Sequence, residues 1–151
     1  MKSEGKRIRR VAVLVETTRT YTRELLAGVR RYVAQHGPWS VFLELRALAS
    51  SSPPCLKNWD GDGILSRTFT QKMADVITAT GLPTVELRST NLRHAFPFVG
   101  VDNSEVGRTV AEHFLERGYH QFGVYSLHTE TFFQERARNF VKTVEAAGYD
   151  C

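Results

Sequence analysis

The sequence predicts an α/β fold, a doubly wound parallel sheet with helices on both faces. Three observations carry that expectation. Extended and helical signals alternate along the whole chain, the order that a parallel sheet with right-handed crossovers requires. The run Val11-Ala12-Val13-Leu14-Val15 is apolar without interruption, as a central strand covered on both faces must be. Polar, multidentate residues gather where the strands end, and ligands meet open parallel sheets at that edge.

Taken in order, the first strand is Val11 to Val15. A helix follows over roughly 20–35, with Leu25, Leu26, Val29 and Val33 on one face and Gly37-Pro38 as its stop. Residues 39–45 alternate, with Trp39, Val41, Leu43 and Leu45 against Ser40 and Glu44. A half-polar strand beside a fully apolar one predicts a sheet edge. "ASSSPP", 49–54, reads as a loop. "LKNWDGDGILSR" gives a turn at Asp60-Gly61-Asp62 and a short strand over 63–66. A helix over 71–79 ends before Gly81, and strands are expected at 84–87 and 98–101. "DNSEVGRTVAEHFLERGYHQ" predicts a helix capped by Ser104, with Val106, Val110, Ala111, Phe114 and Leu115 on one face and Gly118 as the stop. A strand at 122–125 and a helix over 132–147 complete the chain. That last helix turns Ala137, Phe140, Val141 and Val144 inward.

The 151 residues are enough for one domain with a real core. An apolar fraction of 42% and a charged fraction of 24% read as globular. The net charge of +4 comes from 20 basic and 16 acidic residues. Lys2, Lys6, Arg7, Arg9 and Arg10 against Glu4 supply that excess, so the rest is nearly balanced and the charge does not argue for nucleic-acid binding by the folded part. We expect a basic leader over 1–8 and one folded lobe over 9–151. Cys55 and Cys151 make neither metal spacing nor a disulfide framework, which predicts reduced thiols in the cytoplasm. No signal or spanning segment is expected, because the run from Val11 is too short.

Several chemistries lack their motifs. There is no GxGxxG after the first strand, no phosphate loop ending in GK[ST] and no GxSxG elbow. The five histidines show no ligand pairing, and Ser66-Arg67 stands where a phosphoacceptor sheet would place an aspartate. No metal or cofactor is expected. What the strand ends carry is Glu16, Arg19 and Tyr21 after the first strand, then Arg67, Arg88, Asp102 with Asn103, and His128. Arginine forks, hydroxyls and carboxylates can ring a polyhydroxylated ligand with directional hydrogen bonds. Capping or packing is the alternative for each of them. The stretch Glu16-Thr17-Thr18-Arg19-Thr20-Tyr21-Thr22-Arg23 is either a wall of a sugar cleft or a well-capped turn.

"VDNSEVGRTVAEHFLERGYHQFGVYS" resembles the signature of LacI/GalR-type effector domains, which have the type I periplasmic-binding-protein fold. "ERARNFVKTVEAAGY" resembles that family's next element, with Arg136 and Phe140 matching and Asn139 in place of the usual glycine. The xylose-regulator branch is more similar still. Arg19, Tyr21 and Arg23 follow the first strand, Gly28-Val29 sit on the helix, and Lys57, Trp59, Gly61, Asp62 and Gly63 lead into the third strand. The resemblance implies the N-terminal lobe of a sugar sensor, with a pentose such as xylose as effector. It implies a homodimeric regulator that reads DNA through a separate C-terminal AraC-type domain, with no enzymatic activity. It further implies that the second lobe and the DNA-binding domain lie outside these 151 residues. A flavodoxin-like enzyme acting on a sugar phosphate, and a subunit-pairing module without ligand binding, are the alternatives.

Overall fold

The computed structural model describes residues 7–45, 54–88 and 90–151. Four parallel strands form one sheet in the order β2-β1-β3-β4, with β1 at Arg9–Val15, β2 at Trp39–Leu45, β3 at Gly63–Ser66 and β4 at Thr84–Glu86. Val11 lies opposite Val41 on one side and Gly63 on the other, so the unbroken apolar run is central and the alternating strand is the edge. Helix α1, Thr20–His36, follows β1, and α2, Gln71–Ala79, follows β3.

The pleat of β1 sorts the core into two layers. Ala12 and Leu14 point with Ile64 toward Met73 and Ile77 of α2 and toward Leu56 of a short 3₁₀ helix, Pro54–Asn58. Val11, Val13 and Val15 point the other way, against Leu26 of α1, Trp39 and Leu65. The sheet is therefore covered by a helix on each face, as expected. Leu14 and Ile77 are fully buried, and each such side chain contributes about 1.5–3 kcal/mol of apolar burial. At the end of α1, Gly37 has φ 117°, a conformation in which a Cβ would be strained. Thr70 caps α2 by accepting from the Met73 N–H at 3.2 Å.

Residues Met1–Arg88 with Leu92–Val99 form one compact unit, and Gly100–Cys151 with 89–91 form a second. The second is built on α3, Asn103–Leu115, packed against α4, Thr131–Ala146. Gly107 is the contact: a Cβ there would lie 2.4 Å from the Arg136 carbonyl oxygen. Buried Ala111 lies one turn further along, and the Asn103 side-chain oxygen accepts from Arg136 Nε at 2.9 Å.

Four expectations change. The cap of α3 is Asp102, which accepts from the Glu105 N–H at 3.0 Å, and Ser104 is already inside the helix. Val110 and Phe114 of α3 are exposed rather than inward. Residues 98–101 form no strand; Phe98 makes a single bridge to Glu86. Residues 122–125 are not paired with any strand among the described residues, and Tyr125 is 93% exposed. An extended segment becomes a strand only when a neighbour takes its N–H and C=O groups. The expected loop at 49–54 lies outside the described residues except for Pro54, as do Ser89, the Cys55 side chain and the leader before Arg7. Cys151 is free and exposed. Arg7 and Arg10 are not idle charges: they pair with Asp62 and Asp60 at 2.7 and 2.6 Å. Arg10 holds the Asp60 carboxyl below the usual range through that bond.

Candidate ligand site at the carboxyl ends of the strands

The chain leaves β1 toward β2 and returns on the opposite side as β3. The segments after β1 and β3 diverge, and this reversal of strand order is where open parallel sheets form a crevice. Register sets what stands there. Leu14 is opposite Ser66, and the Arg67 N–H donates to the Leu14 carbonyl at 2.9 Å. Glu16 and Arg67 therefore emerge side by side.

Their side chains meet. Arg67 Nε lies 3.2 Å from Glu16 Oε2, with Glu16 fully buried and Arg67 only 5% exposed. Thr22, on the first turn of α1, donates its hydroxyl to Glu16 Oε1 at 2.9 Å and accepts from Arg67 at 3.4 Å. The Arg67 guanidinium also sits 5.3 Å above the ring of Tyr21, which is 44% exposed. Arg19 is half-buried at the start of α1 and makes no side-chain cap. The threonine-rich joint is braced by Arg23, which donates to the carbonyls of Thr17 and Thr18 at 3.1 and 3.3 Å and to the Thr20 hydroxyl at 2.9 Å.

A second cluster lies at the ends of β3 and β4. Glu86 is fully buried, and its Oε1 accepts from the Thr68 N–H at 3.1 Å and the Arg88 N–H at 2.9 Å. Arg88 donates to the Thr68 carbonyl at 2.9 Å and lies 4.6 Å over the ring of Phe69. The hydroxyls of Ser66 and Thr68 bond at 3.0 Å. Burial pushes the Glu86 carboxyl above its ordinary range, outweighing the Thr68 and Arg88 donors and the Arg88 charge. Three buried atoms here have no aligned hydrogen-bond partner among the described residues: Glu16 Oε2, Arg67 Nε and Glu86 Oε2.

Of the residues expected at the site, Arg67 meets both Glu16 and Tyr21, and Arg19 stands at the start of α1. Arg88 belongs to the adjoining cluster. The other three lie in the second unit. Asp102 is exposed and caps α3, Asn103 is buried against Arg136, and His128 is exposed beside an open groove of about 590 Å³ shared with Ser126, Ala137 and Val141. Sequence reasoning missed Thr68 and Glu86, and named Thr22 only as part of the threonine-rich joint. Glu86 had a signal, a carboxylate inside the otherwise apolar ending Val85-Glu86-Leu87. Thr68 had none beyond its position. A larger hollow of about 990 Å³ opens beside the amino ends of the strands, where Arg9, Trp39, Asp62 and Pro83 stand. None of the expected residues lines it.

The sequence model of the XylR N-terminal domain matches residues 10–104, more than half of the chain. The chain belongs to this family. Among curated relatives of the XylR N-terminal domain, the xylose operon regulatory protein of Haemophilus influenzae is 24% identical over 148 residues, covering 93% of this chain. The chain spans 38% of that relative's length. Solved structures share the fold. A periplasmic binding protein/LacI transcriptional regulator from Alkaliphilus metalliredigens, in complex with D-xylulofuranose, superposes with a TM-score of 0.72 at 14% identity. The match covers 94% of this chain and 54% of that one. A LacI-family regulatory protein from Chloroflexus aggregans gives 0.76 at 13% identity, over 94% and 54%.

Proposed function

We propose that this XylR N-terminal domain is the effector-sensing lobe of a transcription regulator, and that its effector is a sugar, a pentose such as xylose. The observation that carries this reading is the cluster at the β1/β3 reversal. Buried charged side chains stand there with unaligned polar atoms, next to a half-exposed tyrosine, at the edge where such sheets take ligands. Sugar hydroxyls donate and accept in equal measure, so they suit a wall that alternates carboxylate, guanidinium and hydroxyl groups. The curated relative's name and the sugar-bound Alkaliphilus neighbour support the class of ligand. The comparisons give no support to a sugar-phosphate enzyme or to a pairing module without ligand.

In the same reading Glu16, Arg19, Tyr21, Arg67 and Arg88 form the wall of the cleft that the first unit carries, and Asp102, Asn103 and His128 are candidate ligand residues carried by the second unit. The lobe acts in a cytoplasmic homodimer and reads DNA through an AraC-type domain outside these residues. No helix among the described residues is long and apolar enough to cross a membrane. The test is calorimetric titration of the full-length protein with D-xylose, other pentoses and their phosphates. Saturable binding of a free pentose is expected; binding of phosphorylated sugars only, or of none, contradicts the proposal.

A further inference from the structure

The inner side of the sheet's carboxyl edge holds a residue that the sugar reading does not use. Glu86 shares a face of the sheet with Ile64 and Ser66, the face on which Ala12 and Leu14 pack against α2. Its neighbours on that face are Ser66, directly opposite, and the apolar Ile64 and Leu14 beyond it. A carboxylate at such a place is costly unless it is hydrogen-bonded. It is bonded, and to an unusual pair of donors. One oxygen takes the N–H of Thr68, next to Arg67, and the N–H of Arg88 itself. The Arg88 side chain closes the ring on the Thr68 carbonyl. The segments after β3 and after β4 are thus joined through one atom of a third residue.

We propose that Glu86 is a positioning residue for the ligand site. It ties the segment carrying Arg67 to the segment carrying Arg88, and so sets the spacing of the two guanidinium groups and, with it, the affinity for sugar. The effect on affinity rests on the sugar reading; the tie itself does not. A glutamine preserves the acceptor oxygen at the same reach. An alanine removes it and takes the acceptor from the buried Thr68 N–H and the half-buried Arg88 N–H, and a hydrogen bond lost on a buried donor costs most. The Glu86 contribution therefore follows the acceptor and not the charge.

The experiment compares Glu86→Gln, Glu86→Ala and Ile77→Val in the full-length protein. Ile77→Val lowers stability from the buried face of α2, where Ile77 belongs to the apolar cluster of Leu14, Leu56, Ile64 and Met73. Hydrogen-exchange mass spectrometry resolved to the Thr68 and Arg88 amides is read beside D-xylose titration at matched folded fraction. Glu86→Ala should lose protection at both amides and weaken binding by roughly tenfold or more. Glu86→Gln should keep both protections and stay within about threefold of the parent. Ile77→Val should leave both readouts at parental values. Parental protection in Glu86→Ala, or an affinity loss no greater than that of Ile77→Val, overturns the proposal. If the parent binds no pentose, the sugar reading fails, and the exchange pattern alone decides whether Glu86 is the tie.

Discussion

Arg67 brings its charge into a buried place where Glu16, Thr22 and the face of Tyr21 meet it. A buried pair of this kind adds little net stability, since desolvation offsets most of the attraction, but removing one partner strands the other. Arg67→Met should therefore cost about 3–5 kcal/mol in urea unfolding, and adding Glu16→Gln should restore much of that loss. A single-mutant cost that the second substitution does not relieve would mean that Arg67 acts through packing instead. Glu86 gives a different signature. Because burial raises its folded-state pKa, the native protein holds that proton at pH values where the unfolded chain has released it. Its contribution to stability is complete below the unfolded pKa and is lost as pH rises through the folded one. Glu86→Gln should then melt higher than the parent at about pH 8, with the difference closing toward pH 4.5. Equal melting temperatures at both ends would show that the carboxylate is fully compensated.

At the scale of elements, some of the architecture was legible and some was not, for physical reasons. The bounds of α2 and β3 are written locally, in the turn before Gly63, the cap at Thr70 and the stop before Gly81. The central and edge positions of β1 and β2 follow from their different patterns of burial. The segment 122–125 has the composition of a strand, yet pairing is a property of the neighbour and not of the segment. The cap of α3 was misplaced because Asp102 and Ser104 are both good capping residues, and only geometry separates them. Gly107 shows the converse case, an unremarkable residue in sequence on which a helix crossing depends. Gly107→Leu should separate α3 from α4 and cost about 2 kcal/mol or more, read by thermal unfolding, because a side chain there meets backbone and not a flexible neighbour. A parental melting temperature would show that α4 can shift without penalty.

For the molecule as a whole, the fold came from alternation and patterning, while the site came only in part. Residue types at strand ends marked Glu16, Tyr21, Arg67 and Arg88 as candidates. That Glu16 and Arg67 would meet required the strand order, because the reversal between β2 and β3 across β1 is what brings distant segments together. The proposed function puts the sugar at this reversal. The most direct measurement is a crystal structure of the full-length protein grown with D-xylose. Sugar density is expected at the carboxyl ends of β1, β3 and β4, with ring hydroxyls within hydrogen-bond distance of Tyr21, Arg67 or Arg88. Density in the hollow beside the amino ends, against Arg9, Trp39 and Asp62, or a bound sugar that touches none of the three residues, would contradict it.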